Sequence, residues 1–304
     1  MVLITSNNTD KSSNLMIDWL ISYRQNFLRL NTNDTLKISF RKGETYIEYS
    51  YYSFKINDIK GIFTRGVWFN FDLTLLKQDY FINEYNQIID NLIFCLNKRS
   101  NFFLNPVNIN KLIVSNIAKD IGLKVPDEII VETKTDLENL IIQNLKLCTK
   151  SLSGVCTMKL KNGYKSLYTI KLNESHLDNV KLNKFYPSLI QKYIDKLFEV
   201  RSFVLNDRIF SMAIFSQKQT DANHDYRKGY SNVRTSVIKL PKEIEIKILK
   251  LLNELKLRSG SIDLIYSKSK EFYFLEVNPS GQFNFLSEAC NYNIENEIVK
   301  LFLN

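Results

Sequence analysis

Short apolar strands alternate with amphipathic helices along this chain of 304 residues, which predicts a mixed α/β (α+β) protein. Two further observations support that class. The apolar fraction of 44% and aromatic fraction of 12% are those of an ordered globular protein with a sizeable core. Only 9 Gly and 5 Pro occur, too few for long flexible linkers, so two or three packed subdomains are expected.

The elements follow in order. Val2-Leu3-Ile4-Thr5 reads as a first strand, and residues 6–13 as a polar loop. Residues 14–30 carry Leu15, Trp19, Leu20, Tyr23 and Phe27 at helical spacing, with Ser12 or Ser13 as N-cap. Residues 36–40, 45–52 and 59–64 are strand-like, and 80–96 form a long amphipathic helix. This alternation predicts an α/β N-terminal domain of roughly 100 residues. A short strand with a turn is expected at 101–106, then a helix at 110–121 closed by Gly122. A strand at 125–131 and a helix at 135–145 come next. Strands at 145–152 and 168–172 flank a loop containing Gly154, Asn162 and Gly163. Residues 189–193 read as a strand, and 198–205 with 209–215 as a hairpin across Asn206-Asp207. An amphipathic helix at 241–257, two strands bearing Asp263 and Glu276, and a helix at 294–302 complete the chain.

The formal net charge is +9. A basic face for nucleic acid, attraction of an acidic ligand, and lysine bias in a solvated surface all fit that sign. No tight basic run or nucleic-acid motif is present, so nucleic acid ranks last. The four cysteines, Cys95, Cys148, Cys156 and Cys290, are scattered without a Cys-x-x-Cys pair, and only two histidines occur, which argues against zinc. The N-terminal apolar run is too short for a signal-peptide core, and no run approaches the ~20 residues of a membrane span. The expectation is a cytoplasmic protein with no membrane partner.

The strongest chemical signal is near the C-terminus. Asp263 sits among Ile262, Leu264 and Ile265, and Glu276 and Asn278 follow Phe272-Tyr273-Phe274-Leu275. In an extended strand, residues i and i+2 share a face, so Glu276 and Asn278 project together. If the two segments pair, Asp263 joins them. Three hard oxygen donors without His or Cys suit Mg²⁺, which keeps some waters and takes its other ligands from phosphate oxygens. Taken alone, the same residues would be two polar strand ends meeting solvent.

Upstream of that set lie a helix and strand with Lys111 and Gly-Leu-Lys-Val-Pro at 122–126, a lysine on a strand at Lys150, the segment Gln191-Lys192-Tyr193-Ile194, and an arginine strand with Arg201. In this order they resemble the ATP-grasp superfamily over nearly the whole chain. Three stretches are most similar to graspetide peptide maturases of the grasp-with-spasm and microviridin type: the opening with Asp10 and Trp19, Ile209 to Gln217, and Glu276-Val277-Asn278-Pro279-Ser280-Gly281 through Tyr292.

That resemblance implies an ATP-grasp fold with an N-terminal domain at 1–100, a central subdomain at 101–190 and a C-terminal subdomain at 191–304, the last two clasping ATP. It implies ATP and one or two Mg²⁺ as cofactors, with Asp263, Glu276 and Asn278 as metal ligands. It implies phosphate contacts from Lys111 and Lys150, adenine reading by the backbone of Gln191, Lys192, Tyr193 and Ile194, and a ribose contact at Glu199. Many relatives carry Glu where this chain has Lys192, which would spare backbone recognition but not a side-chain contact. Arg201 and Arg234 would hold the γ-phosphate and the acyl-phosphate, the rival for Arg201 being an ion pair with a neighbouring strand acid. Arg65, Asp225 and Arg227 would contact substrate, with Trp68 beside Arg65 and His224 unassigned. The implied activity joins Asp or Glu side chains of an acidic ribosomal precursor peptide, carrying a leader segment, to Ser, Thr or Lys. The alternative is a carboxylate–amine ligase acting on a small molecule or a protein tail. Relatives are often homodimers. One departure, which graspetide ligases share, favours them over small-molecule ligases, and one absence disfavours a P-loop NTPase. The segment 153–165 has only Gly154 and Gly163 where many ATP-grasp ligases have a dense glycine loop, and no P-loop signature occurs.

Overall fold

The computed structural model describes residues 1–31, 33–65, 72, 78–98, 109–143, 146–152, 169–178, 180–216 and 233–303, and the backbone of 102–103, 156–160 and 163–167. Trp68, His224, Asp225 and Arg227 lie outside the described residues. The backbone forms two compact units, Met1–Val107 with Pro279–Asn304, and Asn108–Asn278.

In the first unit, β1 (Val2–Thr5) lies between β2 (Phe27–Leu30) and β6 (Gly61–Thr64), with β7 (Phe102–Phe103) outside β6, all parallel. The helix expected over 14–30 is shorter and starts earlier: α1 spans Lys11–Ser22. Its N-cap is Asp10, whose carboxylate accepts from the Ser13 N–H at 2.8 Å, and Ser12 and Ser13 are buried in the first turn. Arg24 takes a left-handed φ of 54°, which ends the helix and releases Phe27–Leu30 to pair with β1. A separate antiparallel meander contains β3 (Lys37–Arg41), β4 (Glu44–Tyr49) and β5 (Tyr52–Lys55). The single strand expected over 45–52 is thus cut by a turn, with Ser50 at φ 53°. Helix α2 (Asp79–Asn97) follows as expected.

The C-terminal helices α7 (Asn284–Ala289) and α8 (Ile294–Lys300) belong to this first unit, where α8 packs on α1. Gly61 is required there: a Cβ would stand 2.3 Å from the Phe302 ring. On α8, Glu295 is buried, and its carboxylate accepts from the Ser287 hydroxyl at 2.5 Å. Burial pushes its pKa above the ordinary carboxylate value of 4.5. A raised carboxyl pKa gives stability that is complete below the unfolded-state value and is lost as pH rises through the folded-state value. Glu295→Gln is therefore expected to raise the thermal midpoint at pH 7 and to change it little near pH 4. Paired melting curves across that range check the sign.

The second unit carries two sheets. The first is ordered β12 (Ile170–Lys171), β9 (Leu147–Thr149), β13 (Lys184–Lys192), β8 (Glu128–Thr133), with α4 (Lys134–Ile142) packed on β8 and α5 (Glu174–Asp178) on α4. The segment expected as a loop with Gly154, Asn162 and Gly163 contains a hairpin of β10 (Cys156–Leu160) and β11 (Gly163–Leu167). The second sheet is antiparallel throughout, ordered β16 (Arg234–Val237), β15 (Arg208–Phe215), β14 (Lys196–Leu205), β17 (Ser259–Ser267), β18 (Phe272–Asn278). Asn206, at φ 54°, makes the tight β14–β15 turn.

Helices α3 (Lys111–Asp120) and α6 (Lys242–Glu254) cover one face of this second sheet. Val200, Val204, Ile262, Leu264, Phe274 and Val277 point into that core with Val114, Ala118, Ile248 and Leu251. Strand side chains alternate faces, so Glu199, Arg201, Asp263 and Glu276 are left for the other face. Burying one face of the strands thus sets out the polar row on the opposite face.

Candidate functional site

Register brings the sequence-predicted residues together. Arg201 on β14 faces Asp263 on β17, and Asp263 faces Glu276 on β18, so the three share one cross-strand row. Arg201 Nη1 donates to Asp263 Oδ1 at 2.6 Å, and each side chain is 11% exposed. Asn278 stands opposite Ser261, two residues along the same face from Glu276. Asp263 pairs with Glu276 but Leu264 pairs with Phe274, so Leu275 is an extra residue and β18 bulges there. The bulge turns both Leu275 and Glu276 toward a cleft of about 740 Å³, counted to its open mouth.

Both candidate phosphate lysines reach β18. Lys111, the first residue of α3, places Nζ 3.1 Å from Glu276 Oε2 and donates to the Ser151 carbonyl at 3.1 Å. Lys150, just after β9, donates to the Leu275 carbonyl at 3.4 Å. Burial lowers the Lys150 pKa from the usual lysine value; Glu276 opposes that shift and Lys111 adds to it. A polyanion entering the cleft would meet the Lys150 ammonium in its wall, with Lys111 and Arg201 already held against the lining carboxylates Glu276 and Asp263.

The other end of the cleft is the connection between the two sheets. Gln191 is buried on β13; its amide Nε2 donates to Glu128 Oε2 at 3.3 Å. The N–H of Lys192 donates to the Asp127 carbonyl at 2.8 Å, and that of Tyr193 to the Lys146 carbonyl at 2.7 Å. The Lys192 side chain is exposed and pairs with Asp127. Tyr193 and Ile194 line the cleft, as does the Cys148 thiol, which burial pushes up to about 11 and so keeps protonated and unreactive. Glu199 lies between this end and the lysines. Burial raises its pKa, and Lys196, 2.5 Å away, opposes the rise. Sequence reasoning missed Lys196, which alternation from Glu199 assigns to the core face.

Arg234 and Arg65 are not part of the cross-strand row. Arg234 opens β16 opposite Phe215, exposed, with its guanidinium 5.2 Å from the Phe215 ring centroid. Phe215 tilts against Phe198, one position out of phase with Glu199 and Arg201, so Arg234 sits on the face opposite the cleft row. Arg65 belongs to the first unit and is 8% exposed. It donates to the Ser280 carbonyl and, at 2.9 Å, to that of Gly281, and it pairs with Asp10 at 3.4 Å. These bonds hold the Ser280-Gly281 turn to Arg65.

The donor set suits magnesium. Asp263 and Glu276 supply two carboxylates and Asn278 an amide, all hard oxygen ligands. Among the described residues no cluster of three His, Cys, Asp or Glu exists. A metal held here would therefore draw its remaining ligands from water and phosphate, as Mg²⁺ does in nucleotide sites.

Comparisons with known proteins bear on the fold and the family. The uncharacterized protein MG012 of Mycoplasma genitalium is 29% identical over 131 residues, covering 41% of this chain and 44% of that protein, less than half of its length. Macrocyclase MdnC of Microcystis aeruginosa MRC, solved bound with precursor peptide MdnA, superposes with a TM-score of 0.79 at 23% identity, covering 100% of this chain and 99% of that one. A RiPP-associated ATP-grasp ligase of Chryseobacterium gregarium, in complex with ADP and a leader and core peptide, gives 0.76 at 22% identity over 99% of this chain and 94% of that one. At these identities the likeness shows a shared fold. The RimK-like ATP-grasp domain family matches residues 108–302, which takes in the whole cleft, both lysines and the Arg201–Asp263–Glu276 row. The protein belongs to the RimK-like ATP-grasp family.

Proposed function

We propose that this protein is an ATP-dependent ligase that closes rings in a ribosomal precursor peptide, joining Asp or Glu side chains to Ser or Thr as ω-esters or to Lys as ω-amides. The observation that carries the reading is the convergence of three cations on a carboxylate pair at the cleft: Lys111 on Glu276, Arg201 on Asp263, and Lys150 on the Leu275 carbonyl beside Glu276, with Lys150, Asp263 and Glu276 lining the cleft. The fold shared with two solved ligases that hold peptides supports a peptide acceptor over a small-molecule one. The net charge of +9 supports an acidic peptide.

In this reading the adenine lies against Tyr193 and Ile194. The Lys192 and Tyr193 amides are already committed, so the Ile194 N–H is the hinge donor left to the base. Glu199 accepts from the ribose, and Lys111 and Lys150 neutralise the phosphates. Asp263, Glu276 and Asn278 would hold Mg²⁺, which screens the β- and γ-phosphate charge when bound. A precursor carboxylate oxygen then bonds to the γ-phosphorus as the bond to ADP breaks, giving an acyl-phosphate. Arg201 holds the phosphoryl oxygens through its planar fork. A Ser, Thr or Lys side chain next attacks the acyl carbon; phosphate leaves and the attacking group gives up its proton. Placement and charge neutralisation supply most of the rate in such transfers.

The test is incubation with ATP, Mg²⁺ and acidic leader-bearing peptides, followed by mass spectrometry. Loss of one water per ring, with stoichiometric ADP, is the expected result. ADP release driven by free amino acids and not by any peptide would overturn the peptide reading and favour the carboxylate–amine alternative.

A further inference from the structure

Regular strand geometry would keep Lys196 out of the cleft. Residues three apart in a strand project to opposite faces, and Lys196 lies three before Glu199. The strand is irregular here. Lys196 faces Ser267 and Phe198 faces Tyr266, so Leu197 is an extra residue on β14, and it stands 41% exposed. That bulge turns Lys196 onto the face of Glu199. The Lys196 ammonium lies 2.5 Å from Glu199 Oε1, with the two side chains 6% and 14% exposed. The Ser216 hydroxyl, itself buried, donates to the same oxygen at 3.0 Å. A bulge sacrifices ladder bonding and a buried ammonium loses hydration, so both need a compensating role.

The position along the cleft suggests that role. Glu199 follows the hinge residues Tyr193 and Ile194 and precedes Arg201, so its carboxylate lies between the base end and the phosphate end. A carboxylate can only accept hydrogen bonds and repels phosphate. The part of a nucleotide that offers donors between base and phosphates is the ribose diol. Among the described residues, the bonds from Lys196 and Ser216 both go to Oε1, so Oε2 is the oxygen offered to a ligand.

We propose that Lys196 is a positioning residue for ribose recognition: the Leu197 bulge swings it into the cleft, where it fixes Glu199 as an acceptor for the 2′- and 3′-hydroxyls. This rests on the nucleotide reading of the cleft and is independent of the acceptor, so a failure to modify peptides leaves it standing.

The test is equilibrium binding of ADP and of 2′,3′-dideoxy-ADP to the full chain with Mg²⁺. The wild-type protein is expected to prefer ADP by about tenfold or more. In Lys196→Met that preference falls below about threefold, through weaker ADP binding with the dideoxy affinity nearly unchanged. Lys196→Arg restores most of it. The double variant Lys196→Met with Glu199→Gln removes both charges together, which guards against misfolding from a stranded carboxylate. It is expected to bind ADP no more weakly than Lys196→Met alone, because the two residues act as one unit. A wild-type ADP preference in Lys196→Met, or equal losses for both nucleotides, would overturn the proposal. A wild-type protein that binds neither nucleotide would overturn the cleft reading along with it.

Discussion

Glu276→Gln is expected to cut acceptor-dependent ADP release by about 100-fold or more, with the fold intact. The substitution keeps the size of the side chain and its capacity to accept a hydrogen bond at β18. It removes one of the two charges that would hold a divalent cation on the phosphates. Glu276 is also the counter-charge for Lys111, 3.1 Å away, and its field partly offsets the burial that lowers the Lys150 pKa. Loss of the carboxylate therefore disturbs the cation site and both lysines at once. The pair with Lys111 is largely buried, but Lys111 keeps the Ser151 carbonyl as an acceptor and a glutamine oxygen can still accept from it, so the loss of stability is small beside the loss of activity. Unchanged thermal melting with a lost Mg²⁺ dependence of ADP release is the expected signature. Near wild-type turnover in Glu276→Gln would remove β18 from the phosphate site.

How much of this could be read from the chain alone follows from strand periodicity. Asp263, Glu276 and Asn278 were legible because a two-residue period fixes which side chains share a face, and their apolar neighbours show which face is buried. Lys196 was not legible, because the Leu197 bulge leaves no mark in composition and reverses the face that alternation assigns. The bulge at Leu275 was equally silent, but it falls before Glu276 and leaves the Glu276–Asn278 spacing intact. The face on which Arg234 stands was not legible for a related reason: its strand register opposite Phe215 comes from pairing at long range. In the first unit, apolar spacing ran through residues 14–30 as if one helix, and the left-handed turn at Arg24 has no glycine to announce it. The return of residues 279–304 to the N-terminal unit depends on close packing, such as Phe302 against Gly61, which a local reading of either segment does not contain.

Arg201 separates the two roles that its position permits. Its ion pair with Asp263 at 2.6 Å is what a purely structural arginine would make, and the same guanidinium stands in the cross-strand row with Asp263 and Glu276, both of which line the cleft. Arg201→Lys keeps the charge and can keep the pair, but an ammonium cannot grip two oxyanion oxygens in a plane. If Arg201 holds the transferring phosphoryl group, Arg201→Lys is expected to lose about 100- to 1000-fold in turnover with little change in melting. Arg201→Met should lose at least as much activity and also about 3 kcal/mol of stability, since it leaves Asp263 largely buried without that guanidinium. Adding Asp263→Asn to Arg201→Met should return most of the stability and none of the activity, because the neutral amide needs no counter-charge whereas transfer still lacks its arginine. Turnover retained in Arg201→Lys would reduce Arg201 to the partner of Asp263. The acyl-phosphate would then need another cation, and the lysines already placed against β18 would be the ones to examine.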